Sequence, residues 1–77
     1  MKTNRTYALL MMLYRLEEEG FFLEEKICID LGISRASFYR ALNDFRCFLQ
    51  EHRPWQELNA DREGRYRLIA IGQKEGK

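Results

Sequence analysis

The sequence has few of the residues that build catalytic and metal sites. Its 77 residues include one histidine, one proline and two cysteines. Cys28 and Cys47 lack metal-ligand spacing, and a small disulfide-built domain would use more cysteines. The sequence also has no glycine-rich phosphate loop and no histidine–nucleophile arrangement. We therefore expect that the protein is not an enzyme, that it holds no metal or cofactor, and that both cysteines stay reduced.

Long hydrophobic runs are also missing. The apolar stretch at residues 7–14 is much shorter than the roughly 20 residues that a membrane-spanning helix needs. No signal peptide is visible either. We therefore expect a cytoplasmic protein with no membrane partner, and the chain length suits one domain.

Charge of one sign does not dominate, because 13 basic residues face 12 acidic ones. This balance excludes a uniformly basic nucleic-acid binder. The placement is uneven, however. Residues 34–49 hold three arginines and one aspartate, residues 59–77 are also net basic, and residues 1–33 carry an excess of acids. Positive charge thus gathers in two segments, as an electrostatic footprint for DNA requires.

Residues 31–42 carry the signals of a helix end, a tight turn and a second helix. Gly32 can adopt the left-handed backbone that closes a helix. Ser34 can cap the next helix by accepting a backbone hydrogen bond. A buried face is marked by four residues that recur at helical spacing, Phe38, Leu42, Phe45 and Leu49. The remaining side chains face outward as a basic, donor-rich set, which a helix-turn-helix would present to the major groove of DNA.

The periodicity predicts helices at about residues 4–19, 24–31 and 34–51, with a short strand at residues 21–23. Pro54 prevents the third helix from continuing regularly. Alternation then predicts a β-hairpin with one strand at 55–58, a turn at 59–64 and a second strand from Arg65. Trp55 is expected to pack in the core, and His52 to be solvated.

The expected fold class is therefore mainly α with a small β-hairpin (α+β), a three-helix winged helix-turn-helix. Residues 1–71 would form the domain, and residues 72–77 a polar tail or the start of a linker. We expect no small-molecule site in this segment.

The first helix is apolar on nearly every side, which is unusual for a helix at the surface of a small domain. One face consists of Leu9, Leu13 and Leu16, to which Leu10 adds, and the remaining directions are occupied by Tyr7, Met11, Met12 and Tyr14. Either neighbouring elements wrap this helix, or one side is an interface with another copy or with a missing domain. We favour the interface and expect a homodimer, formed through helix 1 or through a missing C-terminal region.

Two motifs resemble a known family. The segment LGISRASFYRAL at residues 31–42 is similar to the L-G-V-S-R-R-T-V-Y-R-D-L motif of the N-terminal DNA-binding domains of WYL-domain transcriptional regulators and DeoR-type repressors. The segment GRYRL at residues 64–68 is similar to the family's G-G-Y-R-L at the end of the wing. The resemblance covers about residues 5–69. It implies sequence-specific binding of double-stranded DNA by a transcriptional regulator in the cytoplasm, associated with the bacterial nucleoid.

The sequence departs from this family at several positions. Ala36 and Ala41 stand where the family often has arginine and aspartate, Arg65 replaces the second wing glycine, and Leu23 replaces a threonine cap. The base preference is therefore not carried over. The family's sensor domain is absent, so the chain is either an excised N-terminal domain or a stand-alone regulator.

The candidate contacts with DNA follow from side-chain chemistry. Arg35 suits a bidentate contact with guanine, and Ser37 and Asn43 suit other base edges. Arg40 and Tyr39 suit phosphates, although half-burial of Tyr39 is an equal alternative. Arginines of the wing would contact the neighbouring minor groove or its backbone. The complete candidate set is Ser34, Arg35, Ala36, Ser37, Tyr39, Arg40, Asn43, Arg62, Arg65 and Arg67.

Two alternatives stay open. Arg67 has a rival role, because it could pair with Glu57 across the hairpin. The whole domain also has a rival function, as a winged helix that contacts another protein and binds no DNA, because fold alone does not determine function.

Overall fold

A computed structural model describes residues 5–71. Its elements, in chain order, are α1 (Arg5–Glu19), β1 (Phe22–Leu23), α2 (Glu24–Leu31), α3 (Arg35–His52), β2 (Gln56–Ala60) and β3 (Arg65–Ala70). The predicted fold class is confirmed, because the chain is mainly helical and carries a small antiparallel sheet in a winged-helix-like order. The predicted tail at residues 72–77 lies outside the described residues. None of the helices within residues 5–71 is long and apolar enough to cross a membrane.

The turn between α2 and α3 forms through the two predicted residues. Gly32 has a φ of 64°, in the left-handed region, and the amide of Ile33 donates to the carbonyl of Cys28 at 3.1 Å. The hydroxyl oxygen of Ser34 accepts a hydrogen bond from the amide of Ser37 at 3.1 Å. These contacts end α2 and begin α3 within three residues, which sets the direction of α3.

The core forms around the inner face of α3. The four residues of α3 expected to be buried, Phe38, Leu42, Phe45 and Leu49, are buried, and Ala41 joins them. Phe38 meets the rings of Phe22 and Tyr66 edge to face, and those two rings stack at 5.2 Å. Burial of each large apolar side chain stabilises the fold by about 1.5–3 kcal/mol. The packing therefore fixes the inner face of α3 and leaves its outer face free.

The sheet has three strands, in the order β1-β3-β2. The predicted hairpin is present as β2 and β3, and β1 adds to it by pairing Phe22 with Tyr66. The predicted bounds of β2 are wrong. This strand continues to Ala60, opposite Tyr66, and the turn is confined to residues 61–64. Asn59 is polar and alanine has a low β-propensity, so the sequence pattern did not indicate that these two residues pair with β3.

The leucine face that the spacing indicates on α1 is not the face that is buried. The fully buried residues are Ala8 and Met12, whereas Leu13 is exposed and Leu9 and Leu16 are only partly buried. Ala8 and Met12 are four residues apart and therefore share a helix face. The sequence pattern misled because it weighted the largest side chains, while alanine is as compatible with burial as leucine.

The expected burial of Trp55 is wrong, since half of this residue is exposed. Leu58 is the residue of β2 that enters the core. Trp55 lies in the turn before β2, which begins at Gln56, so the alternation of side chains along the strand does not extend to it. His52 is exposed, as expected, with its ring 4.7 Å from that of Phe48.

Candidate nucleic-acid interface

The outward face of α3 is exposed along its first three turns. The side chain of Arg35 is 81% exposed, and Ala36, Arg40 and Asn43 are exposed as well. Within residues 5–71, Arg40 and Asn43 have no ion pair or side-chain hydrogen bond, so both are available to an external partner. The predicted outer set of α3 therefore lies on one open surface.

The two serines at the start of this helix are already engaged with each other. Besides capping α3, the Ser34 hydroxyl donates to the Ser37 hydroxyl oxygen at 3.3 Å. Ser37 is half-buried. Because a hydroxyl can also accept hydrogen bonds, both groups keep some capacity for a further contact. Their position at a helix N-terminus favours an anionic partner.

Glu24 is a member of this surface that the sequence reasoning missed. Its carboxylate accepts a hydrogen bond from the Tyr39 hydroxyl at 2.7 Å, and Arg35 Nε lies 3.4 Å from its second oxygen. The hydrogen bond to this carboxylate raises the pKa of Tyr39 to about 12. Glu24 is 15 residues from Tyr39 in sequence, so no local signal identified the pair. The side chain of Tyr39 is thus exposed, but its hydroxyl already donates its hydrogen bond to Glu24.

Asp61 organises the turn of the hairpin. Its Oδ1 atom accepts hydrogen bonds from the amides of Glu63 at 2.9 Å and Arg65 at 3.0 Å. Its Oδ2 atom accepts one from Arg65 Nε at 2.9 Å. These interactions lower the pKa of Asp61 below its usual value, and the hydrogen bond from the Arg65 amide has the largest effect. Arg65 also lies 2.6 Å from Glu63, so this guanidinium is held between two carboxylates.

The other two arginines of the hairpin have different surroundings. Arg67 lies 3.9 Å from Asp61, and the expected alternative of pairing with Glu57 is wrong. Asn59 is the residue opposite Arg67, while Glu57 faces Ile69. Arg62 is exposed and has no ion pair within the described part of the chain.

An aromatic ring supports two of these cations. The guanidinium carbons of Arg65 and Arg67 lie 5.8 Å and 6.0 Å from the centroid of Phe21. A cation over an aromatic face at this distance is attracted to it. Phe21 therefore joins Asp61 in holding the hairpin arginines together, a role that its position in the sequence did not indicate.

The start of α3 and the turn of the hairpin lie next to each other. They share a cleft of about 260 Å³, lined by Leu23, Glu24, Glu25, Arg35, Tyr39, Glu63 and Gly64. The two predicted groups of contact residues therefore meet at one side of the molecule. Three of the lining residues are glutamates, and Arg35 is the one cation among them.

No family model, curated protein or solved structure matches the chain. The residues that the structure describes include no group of three or more histidine, cysteine, aspartate or glutamate side chains that could hold a metal ion. The open face of α3, together with the neighbouring hairpin, is therefore the candidate functional surface of the described residues.

Proposed function

We propose that this chain binds double-stranded DNA sequence-specifically as a transcriptional regulator, with α3 in the major groove. The observation that carries the proposal is the open face of α3, where Arg35, Ala36, Arg40 and Asn43 are exposed next to a serine-capped N-terminus. An α-helix fits the major groove, and side chains on its first turns reach base edges. The resemblance to WYL-domain and DeoR-type regulators supports the same assignment.

Different side chains of α3 would have different roles. Arg35 has the planar fork that matches the O6 and N7 atoms of guanine. Asn43 can bond to adenine, and the methyl group of Ala36 can contact that of thymine. Arg40 is unpaired within residues 5–71 and would bind a phosphate, which positions the helix without reading sequence.

The hairpin would contact the backbone or the minor groove next to α3. Arg62 is free to bind phosphate, whereas Arg65 and Arg67 would have to exchange Asp61 for it. A narrow minor groove concentrates negative potential and favours such an exchange. The proposed location is the bacterial nucleoid, in the cytoplasm.

The test begins with selection of duplexes from a random pool, followed by titration of the selected duplex at several salt concentrations. If about four phosphates are contacted, affinity should fall by about 10²-fold between about 50 mM and about 200 mM salt. A scrambled duplex should bind far more weakly than the selected one. Failure to enrich any sequence, with no saturable binding at low salt, would favour the rival function of a protein-binding winged helix.

A further inference from the structure

Glu24 brings an acidic side chain against the face of α3 that the proposed function turns towards DNA. It lies in the first turn of α2, and its side chain is only 21% exposed. Its two carboxylate oxygens have different partners. Oε1 accepts a hydrogen bond from the Tyr39 hydroxyl at 2.7 Å, and Oε2 lies 3.4 Å from Arg35 Nε. A mostly covered carboxylate therefore joins two of the side chains that are expected to contact DNA.

Tyr39 holds this carboxylate in one direction. Its ring lies edge to face against that of Phe38, with 5.3 Å between the centroids, and Phe38 is fully buried. The hydroxyl that the ring carries occupies one oxygen of Glu24, and the other oxygen is left towards Arg35. A continuous chain of contacts therefore runs from the core to the exposed arginine.

The contact with Glu24 leaves most of Arg35 accessible. Nε is the atom nearest the carboxylate, and the side chain as a whole is 81% exposed. A guanidinium carries five N–H donors in a rigid fork, so its terminal amino groups can bond to the O6 and N7 atoms of guanine while Nε faces a carboxylate. The ion pair is therefore compatible with base readout by Arg35.

We infer that Glu24 is a positioning residue that reserves Arg35 for base readout and keeps it from the DNA backbone, with Tyr39 holding the carboxylate in place. An exposed arginine otherwise has many rotamers and can bind nearby phosphates, which adds affinity without sequence preference. The carboxylate repels phosphate and restricts the orientations of Arg35. Glu24 thereby lowers affinity for all duplexes and increases discrimination between base pairs. This inference rests on the proposed function and adds a specificity determinant to it.

The test compares the affinity of the selected duplex with that of a duplex substituted at the base pair whose preference depends on Arg35. Glu24→Gln keeps the length of the side chain and removes its charge. The ratio of the two affinities should fall by about two- to tenfold, because affinity for the substituted duplex rises more than affinity for the selected one. Glu25→Gln is the matched control. Glu25 lines the same cleft without contacting Arg35 or Tyr39 in the described residues, so its replacement should leave the ratio unchanged.

Tyr39→Phe tests the second contact with no change of charge. Loss of the hydroxyl lets the carboxylate of Glu24 rotate, so the ratio should fall, but by less than in Glu24→Gln. If Tyr39 only bound a phosphate, all duplexes would weaken alike and the ratio would stay the same, which would overturn its assigned role. In the Arg35→Ala background neither variant should change the ratio, because the side chain that they position is gone.

The free protein provides a measurement that needs no DNA. Nitrogen-15 relaxation of Arg35 Nε should show greater mobility in Glu24→Gln and in Tyr39→Phe than in the parent chain. Equal mobility, or an unchanged ratio of affinities in Glu24→Gln, would overturn this inference while selective DNA binding stands. The same fall of the ratio in Glu25→Gln would also overturn it. Failure to enrich any duplex is a different result, because it would overturn the proposed function and this inference together.

Discussion

The start of α3 and the β2–β3 hairpin both present arginines to the same side of the molecule, but they hold them differently. Arg40 on α3 has no ion pair within residues 5–71, and Arg35 reaches only Glu24 at 3.4 Å while staying largely exposed. Arg65 on the hairpin is bound to Asp61 and Glu63 and is mostly covered. Outward arginines that look equivalent in sequence therefore differ in their availability to a ligand.

The difference follows from the two kinds of backbone. A capped helix satisfies its own backbone groups and leaves outward side chains free. The hairpin turn is closed partly by backbone hydrogen bonds, and the carboxylate of Asp61 adds three more, two of them with Arg65. We infer that α3 supplies the sequence readout in the proposed function. Arg65 and Arg67 of the hairpin first stabilise the turn and contact DNA only after exchange, whereas Arg62 can contact phosphate directly.

The largest expected effect concerns packing beneath the two regions. Phe38→Ala should lower the free energy of unfolding by about 3–5 kcal/mol, because Phe38 is fully buried between two aromatic rings. Trp55→Ala should cost about 1 kcal/mol or less, since Trp55 is half exposed in the turn before β2. Urea denaturation of both variants measures the contrast, and similar losses would show that Trp55 packs as the sequence first suggested.

The next effect concerns readout. Arg35→Ala should lower affinity for the selected duplex by about 1–3 kcal/mol and change the preferred base at one position. Its effect on nonspecific duplex should be small. Arg62→Ala is the matched control, because this exposed hairpin arginine is expected to weaken all sequences alike. Equal, sequence-independent losses from both variants would contradict the placement of α3 in the major groove.

A smaller effect distinguishes Arg40, which has no ion pair within residues 5–71, from Arg65, which is paired with two carboxylates. Arg40→Ala should reduce the salt dependence of binding by about 0.9 in the log–log slope, as expected for one lost phosphate contact. Arg65→Ala should reduce it by less, because its guanidinium already neutralises two carboxylates. Arg65→Ala should also lower the thermal midpoint of unfolding. If the two slopes change equally, the hairpin arginine is as available as the helical one.

The pH dependence tests the hairpin alone. The pKa of Asp61 is lower in the folded chain than its usual value of 3.8, so Asp61 stabilises the fold above that pH. This contribution is lost as the pH falls through the lowered pKa. Asp61→Asn should therefore show a smaller drop in melting temperature on acidification than the parent chain. Asp30→Asn is the control, because Asp30 also has a lowered pKa but lies in α2, outside the hairpin. Its replacement should leave the hydrogen-exchange protection of the hairpin unchanged.

The local features of the fold were predictable, whereas most contacts between distant segments were not. Gly32 and Ser34 act within a few residues of themselves, so the sequence alone indicated the turn, the cap and the buried face of α3. Pairing of β1 with β3 joins Phe22 to Tyr66, which are far apart in the chain. Such pairing depends on how the helices pack, and no short pattern encodes it.

The candidate site shows the same limit. The exposed positions on α3 followed from helical spacing, but the partners of those side chains did not. Glu24, Asp61 and Phe21 all hold predicted contact residues, and none was identified beforehand. Asp61 had a recognisable signal, because an aspartate that begins a turn commonly accepts backbone hydrogen bonds. Glu24 and Phe21 needed the folded chain to bring them into contact.

The smallest expected effect concerns Glu24, whose carboxylate lines the cleft and contacts Tyr39 and Arg35 of α3. Glu24→Gln should lower the pKa of Tyr39 from about 12 toward its usual value of 10.0, because a neutral amide oxygen holds the hydroxyl proton less strongly. Carbon-13 NMR of the Tyr39 ring measures this shift. The raised pKa means that this contact stabilises the fold below pH 10.0 and is lost as the pH rises through about 12.

The same variant should bind duplex a few-fold more tightly, because it removes a negative charge that competes with phosphate for Arg35. Glu25→Gln is the matched control. Glu25 lines the same cleft, but it has no hydrogen bond to Tyr39 or ion pair with Arg35 in the described residues. An equal gain in affinity from both variants would show that only the overall charge of the cleft matters. A gain from Glu24→Gln alone would show that the ion pair with Glu24 makes Arg35 less available to DNA. The arginines at the start of α3 would then differ less from those of the hairpin in their availability to DNA.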